Sequence, residues 1–296
     1  MRQILKPSPE INKSLELLTN ANRQYVGIAN GMIGVCAGLP RRVVVRRETT
    51  VVSPKIAKVL FFLLQGAGSS TNTLLDLSDG PGLHTRDCYG IARSIVETLV
   101  NACFVMAGGE TTAKQAIDHA IQKSYTDLSR ESKIGESVIS AAYTGKTNLK
   151  NATELKNLVA KFTSRSGREK GWTDESIDDR IAMIGNKFGC SVLTSLHGAR
   201  FSIYRHSSEF LHGTLFSAYL FFGISAPNGY PNNEKKFADF IGDQHLLLLI
   251  GVALGWSAVV EAFHASFGYG IAVAHSKKLW DMISKIPIAE EDKTES

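Results

Sequence analysis

Two stretches of this chain decide its fold: ARSIVET at residues 92–98 and YRHSSEFLHG at residues 204–213. An α-helix advances about 100° per residue, so residues three, four or seven apart share one face. Arg93 and Glu97 therefore share a face in the first stretch, and Tyr204, Ser208 and His212 follow one another at steps of four in the second. Polar groups at helical spacing inside apolar segments predict two helices that meet through those groups.

The second stretch is expected to face a core. Its stripe includes Phe201, Leu215 and Tyr219, which are apolar or aromatic. Arg205 is seven residues before His212 and lies about 20° from it around the helix axis. Buried polar groups are costly unless they find partners, so two such helices would satisfy each other. The pattern predicts a small site of arginine, carboxylate, hydroxyl and imidazole between two helices.

The composition is that of an ordinary globular protein, with 44% hydrophobic and 21% charged residues in a chain of 296. The net charge of +5 is compatible with an anionic partner without requiring one. The sequence has no Cys-x-x-Cys pair and no histidine spacing typical of metal ligands, so we expect no metal and no cofactor. Apolar residues flank Cys88, Cys103 and Cys190, which favours buried, reduced thiols in the cytoplasm.

Hydrophobic periodicity predicts mostly helices, and the fold class is therefore all-α, a helical bundle around the two polar helices. Three segments are expected: an N-terminal helix with a basic extended arm at 1–52, the bundle domain at 53–285, and an acidic tail at 286–296. Two stretches are less certain in type: the β-branched run at 41–52 and the ambiguous segment at 132–151.

Neither a signal peptide nor a membrane span is predicted. The N-terminus lacks an apolar core followed by a cleavage site. Residues 245–267 are the one candidate span, and Glu261 and His264 interrupt it before it reaches about 20 clean apolar residues. A buried core helix is the better interpretation of that segment.

The two motifs together resemble those of a large bacterial family whose function is unknown. In that family a helix bearing R-S-x-x-E-T precedes a helix bearing Y-x-x-x-S-x-x-x-H-G. The first motif matches at residues 93–98 and the second at Tyr204, Ser208, His212 and Gly213, in the same order. The resemblance spans about residues 54–274, and it implies a helical domain without assigning it an activity.

More distantly, the second helix is similar to the HEPN superfamily of small helical ribonucleases, whose signature is an arginine and a histidine with four to six residues between them. Here Arg205 and His212 are separated by six residues. The resemblance implies a metal-independent endoribonuclease that acts on RNA as a homodimer, in phage defence or a stress response, with a possible protein partner in a defence system. One departure is His206, which fits the position after the arginine only loosely.

Such chemistry suits the residue types present. Imidazole can act as a base or acid near neutral pH, and an arginine fork can stabilise charge on phosphate oxygens. His212 would move the proton and Arg205 would bind the phosphate, while Glu97 would orient His212 or pair with Arg93. Ser208 and Tyr204 complete the candidate catalytic set. The candidate RNA-binding residues are basic: Arg41, Arg42, Arg46, Arg47, Arg165 and Arg168.

Alternatives remain open for each feature. Arg93 and Glu97 could simply be an ion pair one turn apart, and the serine and histidine could be a satisfied contact between helices. The whole protein could then be a non-catalytic helical interaction module, or it could bind a small molecule or nucleotide between its helices. Accessibility of His212 discriminates these hypotheses, because a catalytic imidazole must line a cleft that reaches solvent.

Overall fold

The computed structural model describes residues 5–38, 52–128, 130–141, 152–224 and 230–284. The all-α prediction is confirmed. In chain order the helices are α1 Pro9–Cys36, α2 Pro54–Leu77, α3 Thr85–Leu128, α4 Ala152–Lys161, α5 Ile177–Phe188, α6 Cys190–His212, α7 Leu215–Phe221, α8 Glu234–Phe267 and α9 Gly270–Ile283. The strands β1 Arg130–Ile134 and β2 Ser137–Ala141 form one small antiparallel hairpin.

Helix α8 is the centre of the bundle and packs against α1, α3 and α6. Two of its glycines allow this close packing. A Cβ at Gly251 would lie 2.6 Å from Cδ1 of Ile203 on α6, and one at Gly255 would lie 2.9 Å from Cδ1 of Leu99 on α3. The two helices that carry the polar motifs are therefore held against the same core helix.

Helix α1, which the sequence placed in a separate N-terminal segment, packs on α2 and α8 in the same core. The Gly-rich run at 31–40 predicts a loop and an end of the first helix at Asn30, but α1 continues to Cys36. Gly31 and Gly34 are buried in this last part of the helix. Tertiary packing there outweighs the low helix propensity of glycine.

The Gly108–Gly109 pair predicts the end of a helix that begins near Thr85, and α3 contains a break at that point. Gly109 has φ 67° and ψ −149°, a backbone conformation that favours glycine and that interrupts the helical path. Just after the break, Glu110 accepts a hydrogen bond from the hydroxyl of Ser53, the residue that precedes α2. The long helix thus consists of a segment packed on α2 and a second segment that leaves in a new direction.

Two further helix boundaries differ from those that the sequence predicts. The sequence places Thr173 as the N-cap of α5, but Ser176 caps it, in a capping box with Asp179. Residues 200–222 read as one helix that carries the second motif, but they belong to two, because Gly213 adopts a left-handed conformation with φ 62° and Thr214 caps a new helix. Leu215 and Tyr219 consequently do not continue the stripe of α6.

The ambiguous segment at 132–151 includes strand residues of the hairpin in its first part. A two-residue turn at Gly135 and Glu136 joins the strands, and Gly135 has φ 61°. Positive φ at a tight hairpin turn is the reason that glycine is favoured there. Ile134, Val138 and Ile139 are exposed on this hairpin.

Of the cysteines expected to be buried, Cys88 and Cys103 are buried and Cys190 is not. All four cysteines are free thiols. The expectation for Cys190 was wrong because this residue begins α6 on the side of the helix that faces solvent.

Helices α3 and α8 are long and apolar enough to cross a membrane by length and composition alone. The most apolar window of α8 is 78% buried within the bundle. The core helix of a soluble protein passes the same test, so this is weak evidence for a membrane span.

Candidate functional site

The predicted orientation of α6 is wrong. Its buried residues, which meet α8 and α3, are Val192, Ser195, Leu196, Ala199, Ile203, Ser207 and Phe210. Phe201, expected in the core, is 87% exposed, as Leu215 is to 69% and Tyr219 to 42%. The buried series recurs at steps of three and four residues and is the more continuous apolar stripe, so it decides which side faces the core.

Arg93 makes two hydrogen bonds, one within α3 and one that joins α3 to α6. Its Nε donates to Oε1 of Glu97 at 2.8 Å, and its Nη2 donates to the hydroxyl of Tyr204 at 3.1 Å. The guanidinium carbon also lies 4.3 Å from the centre of the Tyr204 ring. Partial burial acts to lower the pKa of Arg93, but Glu97 and Tyr204 outweigh it and the pKa is raised.

A cleft of about 370 Å³ opens to solvent beside this contact. Its lining residues are Gly90, Arg93, Ser94 and Glu97 from α3, and Leu211 and His212 from α6. The absence of a side chain at Gly90 matters, since a Cβ there would lie 3.3 Å from Cδ2 of Leu211. The end of α6 therefore closes against α3 and holds the His212 imidazole at the same opening as the Arg93–Glu97 pair.

His212 itself is exposed. Within the described ranges, its ring forms no hydrogen bond with another side chain or with the backbone, and it is free to meet a ligand. His245 is the opposite case. It is fully buried, with Nε2 2.7 Å from the Ser78 hydroxyl and Nδ1 3.2 Å from the Thr85 hydroxyl. His245 is thus a structural histidine, and His212 is one available for chemistry.

The structure brings four of the six candidate catalytic residues together: Arg93, Glu97, Tyr204 and His212. Ser208 is half-buried and is not among the residues that line the cleft. Arg205 is exposed, about two turns before the end of α6, and does not line the cleft either. In the described part of the chain Arg205 forms no ion pair.

The arginines that were candidates for RNA binding do not line the cleft where the structure describes them. Arg165 and Arg168 are exposed on the loop after α4, where Glu169 pairs with Lys123 at 2.7 Å. Lys123 lies in the part of α3 beyond Gly109, and Arg93 is about 24 Å of helix before that break. The remaining four candidates, Arg41, Arg42, Arg46 and Arg47, lie outside the described residues.

Two arginines that the sequence did not indicate also act near the contact between Arg93 and Tyr204. Arg200 on α6 lies 5.4 Å from the centre of the Tyr204 ring and donates to Oδ2 of Asp178 at 2.7 Å. Arg180 on α5 donates from Nη1 to Oδ1 of Asn101. Asn101 is four residues after Glu97, so helical spacing could have indicated it, but no local pattern marks a residue from α5.

The charge of Arg180 acts on the same carboxylate as Arg93. Burial lowers the pKa of Arg180, and the charges of Glu97, Tyr204 and Glu175 partly offset that effect. The charge of Glu97 thus interacts with Arg180 from α5 as well as with Arg93 from its own helix. Two guanidinium charges from different helices thus act on the carboxylate that lines the cleft.

Among the residues that the structure describes, no group of three or more histidine, cysteine, aspartate or glutamate side chains could hold a metal ion. What the cleft offers is an exposed imidazole, a carboxylate and a guanidinium. A guanidinium can bind an anion, and an imidazole is the side chain suited to proton transfer near neutral pH.

Comparison with known families gives one result. The model of a family of unknown function, DUF5677, matches residues 57–230. The chain belongs to the DUF5677 family. The match includes both polar motifs and every residue that lines the cleft. No curated protein and no solved structure matches the chain.

Proposed function

We propose that this DUF5677 protein is a metal-independent endoribonuclease that cleaves RNA in the cleft between α3 and α6. One observation carries the proposal: the exposed His212 imidazole and the Arg93 guanidinium line the same solvent-open cleft. A histidine that served only the packing of two helices would be sealed and hydrogen-bonded, as His245 is.

The reaction would use the 2′-hydroxyl of RNA. Its oxygen attacks the adjacent phosphorus while the bond from phosphorus to the 5′-oxygen breaks, leaving a 2′,3′-cyclic phosphate and a 5′-hydroxyl. His212 would accept the proton of the 2′-hydroxyl or, as imidazolium, donate one to the leaving oxygen. Arg93 would bind the non-bridging phosphate oxygens, where negative charge develops. Glu97 holds the Arg93 guanidinium at the cleft.

Two arginines compete for the role of phosphate ligand. The spacing that resembles HEPN enzymes assigns it to Arg205, and the position within the cleft favours Arg93. Substitution of each by lysine, which keeps the charge but loses the planar fork, separates the two. We expect Arg93→Lys to lower the cleavage rate more than Arg205→Lys.

The experiment that tests the function incubates purified protein with total RNA in the presence of EDTA. The proposal predicts cleavage that survives the chelator and leaves 2′,3′-cyclic phosphate ends. Activity that requires a divalent cation, or products with 3′-hydroxyl ends, would contradict it. By resemblance to HEPN proteins we further propose a cytoplasmic role in phage defence or stress.

A second candidate function is a non-catalytic interaction module, and an exposed apolar surface favours it. We define the α7 surface as five exposed side chains at the end of α6 and around α7: Leu211, Leu215, Phe216, Tyr219 and Phe222. Contiguous exposed apolar groups commonly mark a protein interface. A second copy of the chain is the partner that the HEPN resemblance implies.

Light scattering of the double variant Leu215→Ser, Phe216→Ser tests the α7 surface as the interface between two copies of the chain. If the α7 surface joins two copies, the wild type has the mass of a dimer and the variant that of a monomer. Substitution of Ile134 and Val138 by serine on the exposed β-hairpin is the matched control, and it should leave the mass unchanged. A monomeric wild type would contradict the homodimer.

A further inference from the structure

The solvent face of α6 carries an ordered series of side chains, of which only the last, His212, lines the cleft. Phe201, Arg205, Ser208 and His212 follow one another at steps of four, three and four residues. Residues at these steps lie along one stripe of a helix. The stripe is opposite the buried residues of α6 and spans about 16 Å from Phe201 to His212.

Phe201 is the unusual member of this stripe. It is 87% exposed, on a helix whose opposite side is well packed. A phenylalanine that is exposed to water gains none of the free energy that burial of its ring would give. An exposed aromatic ring beside polar neighbours offers a flat surface on which a base can stack.

Arg205 provides the complementary charge one turn along. It is exposed and, in the described ranges, no carboxylate pairs with it. Helix α6 contains a single carboxylate, Glu209, which is half-buried and accepts a hydrogen bond of 3.0 Å from the Thr214 hydroxyl. The stripe therefore presents an aromatic ring, an unpaired cation, a hydroxyl and an imidazole, and it ends at the cleft.

We infer that this stripe, Phe201–Arg205–Ser208–His212, binds an unpaired RNA strand and leads it into the cleft. A base stacks on Phe201, and Arg205 contacts a phosphate. His212 then lies at the next part of the strand, at the proposed point of cleavage. Only a strand with unpaired bases can use an aromatic platform in this way, so the substrate class is single-stranded RNA. This inference rests on the proposed function, which places cleavage at His212 and so decides at which end of the stripe the strand enters the cleft.

The test measures binding without cleavage. The probe is a fluorescein-labelled polypyrimidine RNA whose 2′-hydroxyls are all methylated, so that it cannot form a cyclic phosphate. Fluorescence anisotropy with the full-length protein gives the dissociation constant. We expect Phe201→Ala to weaken binding about 5- to 150-fold, the range for loss of one stacked base. Phe201→Tyr keeps the ring and should bind like the wild type.

Three further variants identify the cause of the loss. Phe201→Leu keeps an apolar side chain without a ring and should bind as weakly as Phe201→Ala. Phe62→Ala removes a phenylalanine that is 64% exposed on α2, and it should leave binding unchanged. Arg205→Gln should reduce the slope of log Kd against log salt concentration by about 0.7, the value for one phosphate contact on a single strand.

The inference is overturned if Phe201→Ala binds the probe as tightly as the wild type, or if a duplex of the same sequence binds as well as the single strand. Failure of the proposed function is distinguishable from this result. A protein that binds the probe through Phe201 but does not cleave unmethylated RNA would be a single-strand binding protein without ribonuclease activity. A protein that cleaves RNA but binds the probe independently of Phe201 would support the proposed function and contradict the role of the stripe in binding.

Discussion

The Nη2 group of Arg93 on α3 donates a hydrogen bond of 3.1 Å to the hydroxyl of Tyr204 on α6. This bond joins the two sequence motifs, which are 111 residues apart. It also directs the guanidinium so that its Nε faces Glu97 at the cleft. The position of α6 against α3 and the orientation of the candidate phosphate ligand thus depend on the same contact.

Removing the Tyr204 hydroxyl tests that contact. We expect Tyr204→Phe to lower the free energy of unfolding by about 1 kcal/mol, since the hydrogen bond is lost while the ring over which Arg93 lies is kept. Urea denaturation measures the change. Tyr219→Phe, on the exposed α7 surface, is the control and should leave the free energy of unfolding unchanged. If Tyr204→Phe remains destabilising in an Arg93→Met background, the hydroxyl does not act through Arg93.

The pKa of His206 provides a second test, by NMR titration. Burial lowers this pKa, and the neighbouring charge of Arg205 lowers it further. Arg205→Gln removes a cation and should therefore raise the pKa of His206, which stays below its usual value because the burial remains. Arg165→Gln, on a distant exposed loop, should change nothing.

The same shift has a consequence for stability. The folded state favours neutral His206, so the unfolded state takes up its proton first as the pH falls through about 6.5. Stability is therefore expected to decline below that pH, and less so in Arg205→Gln. An identical decline in both proteins would contradict the contribution of Arg205.

The close packing of α6 on α8 predicts the effect of Gly251→Ala. The added methyl would lie 2.6 Å from Cδ1 of Ile203, and overpacking of this kind costs about 1–3 kcal/mol. The shorter side chain in Gly251→Ala, Ile203→Val should recover part of the loss. Gly27→Ala is the control, because nothing lies within 4 Å of a Cβ at that exposed helical position. Thermal denaturation measures the change. If both alanine variants are destabilised equally, the contact with Ile203 is ruled out as the cause.

Thiol reactivity tests the burial of the cysteines. Cys190 is exposed and should react first with a thiol reagent such as DTNB. Cys36 should react more slowly, because burial raises its pKa to about 12. Cys88 and Cys103 should react only after unfolding. A fast-reacting thiol that persists in Cys190→Ser would show that another cysteine is accessible.

The sequence indicated the two polar motifs and the helices that carry them because both depend on local spacing. Arg93 and Glu97 are one turn apart, and one helix positions them. The pairing of these helices could also be inferred, since the polar groups of one needed partners on the other. The all-α class followed from periodicity, which each helix shows within its own segment.

The sequence of α6 did not show which side of the helix faces the core, because the helix has two stripes that contain apolar residues. Phe201 was placed in the core because a phenylalanine is usually buried, but the series that includes Ile203 and Phe210 packs against α8. The choice between two apolar stripes depends on the neighbouring helix, which no local pattern shows. Arg180 was missed for the same reason, since it reaches Asn101 from a helix that is far away in sequence.

The measurement that tests the central claim most directly is the effect of His212→Ala on the rate of RNA cleavage in EDTA. We expect kcat/KM to fall by about 100-fold or more, the usual contribution of a general acid or base, with an unchanged melting temperature. His275→Ala removes an exposed histidine on α9, away from the cleft, and should leave kcat/KM unchanged. A His212→Ala protein that is as active as the wild type would contradict the ribonuclease assignment.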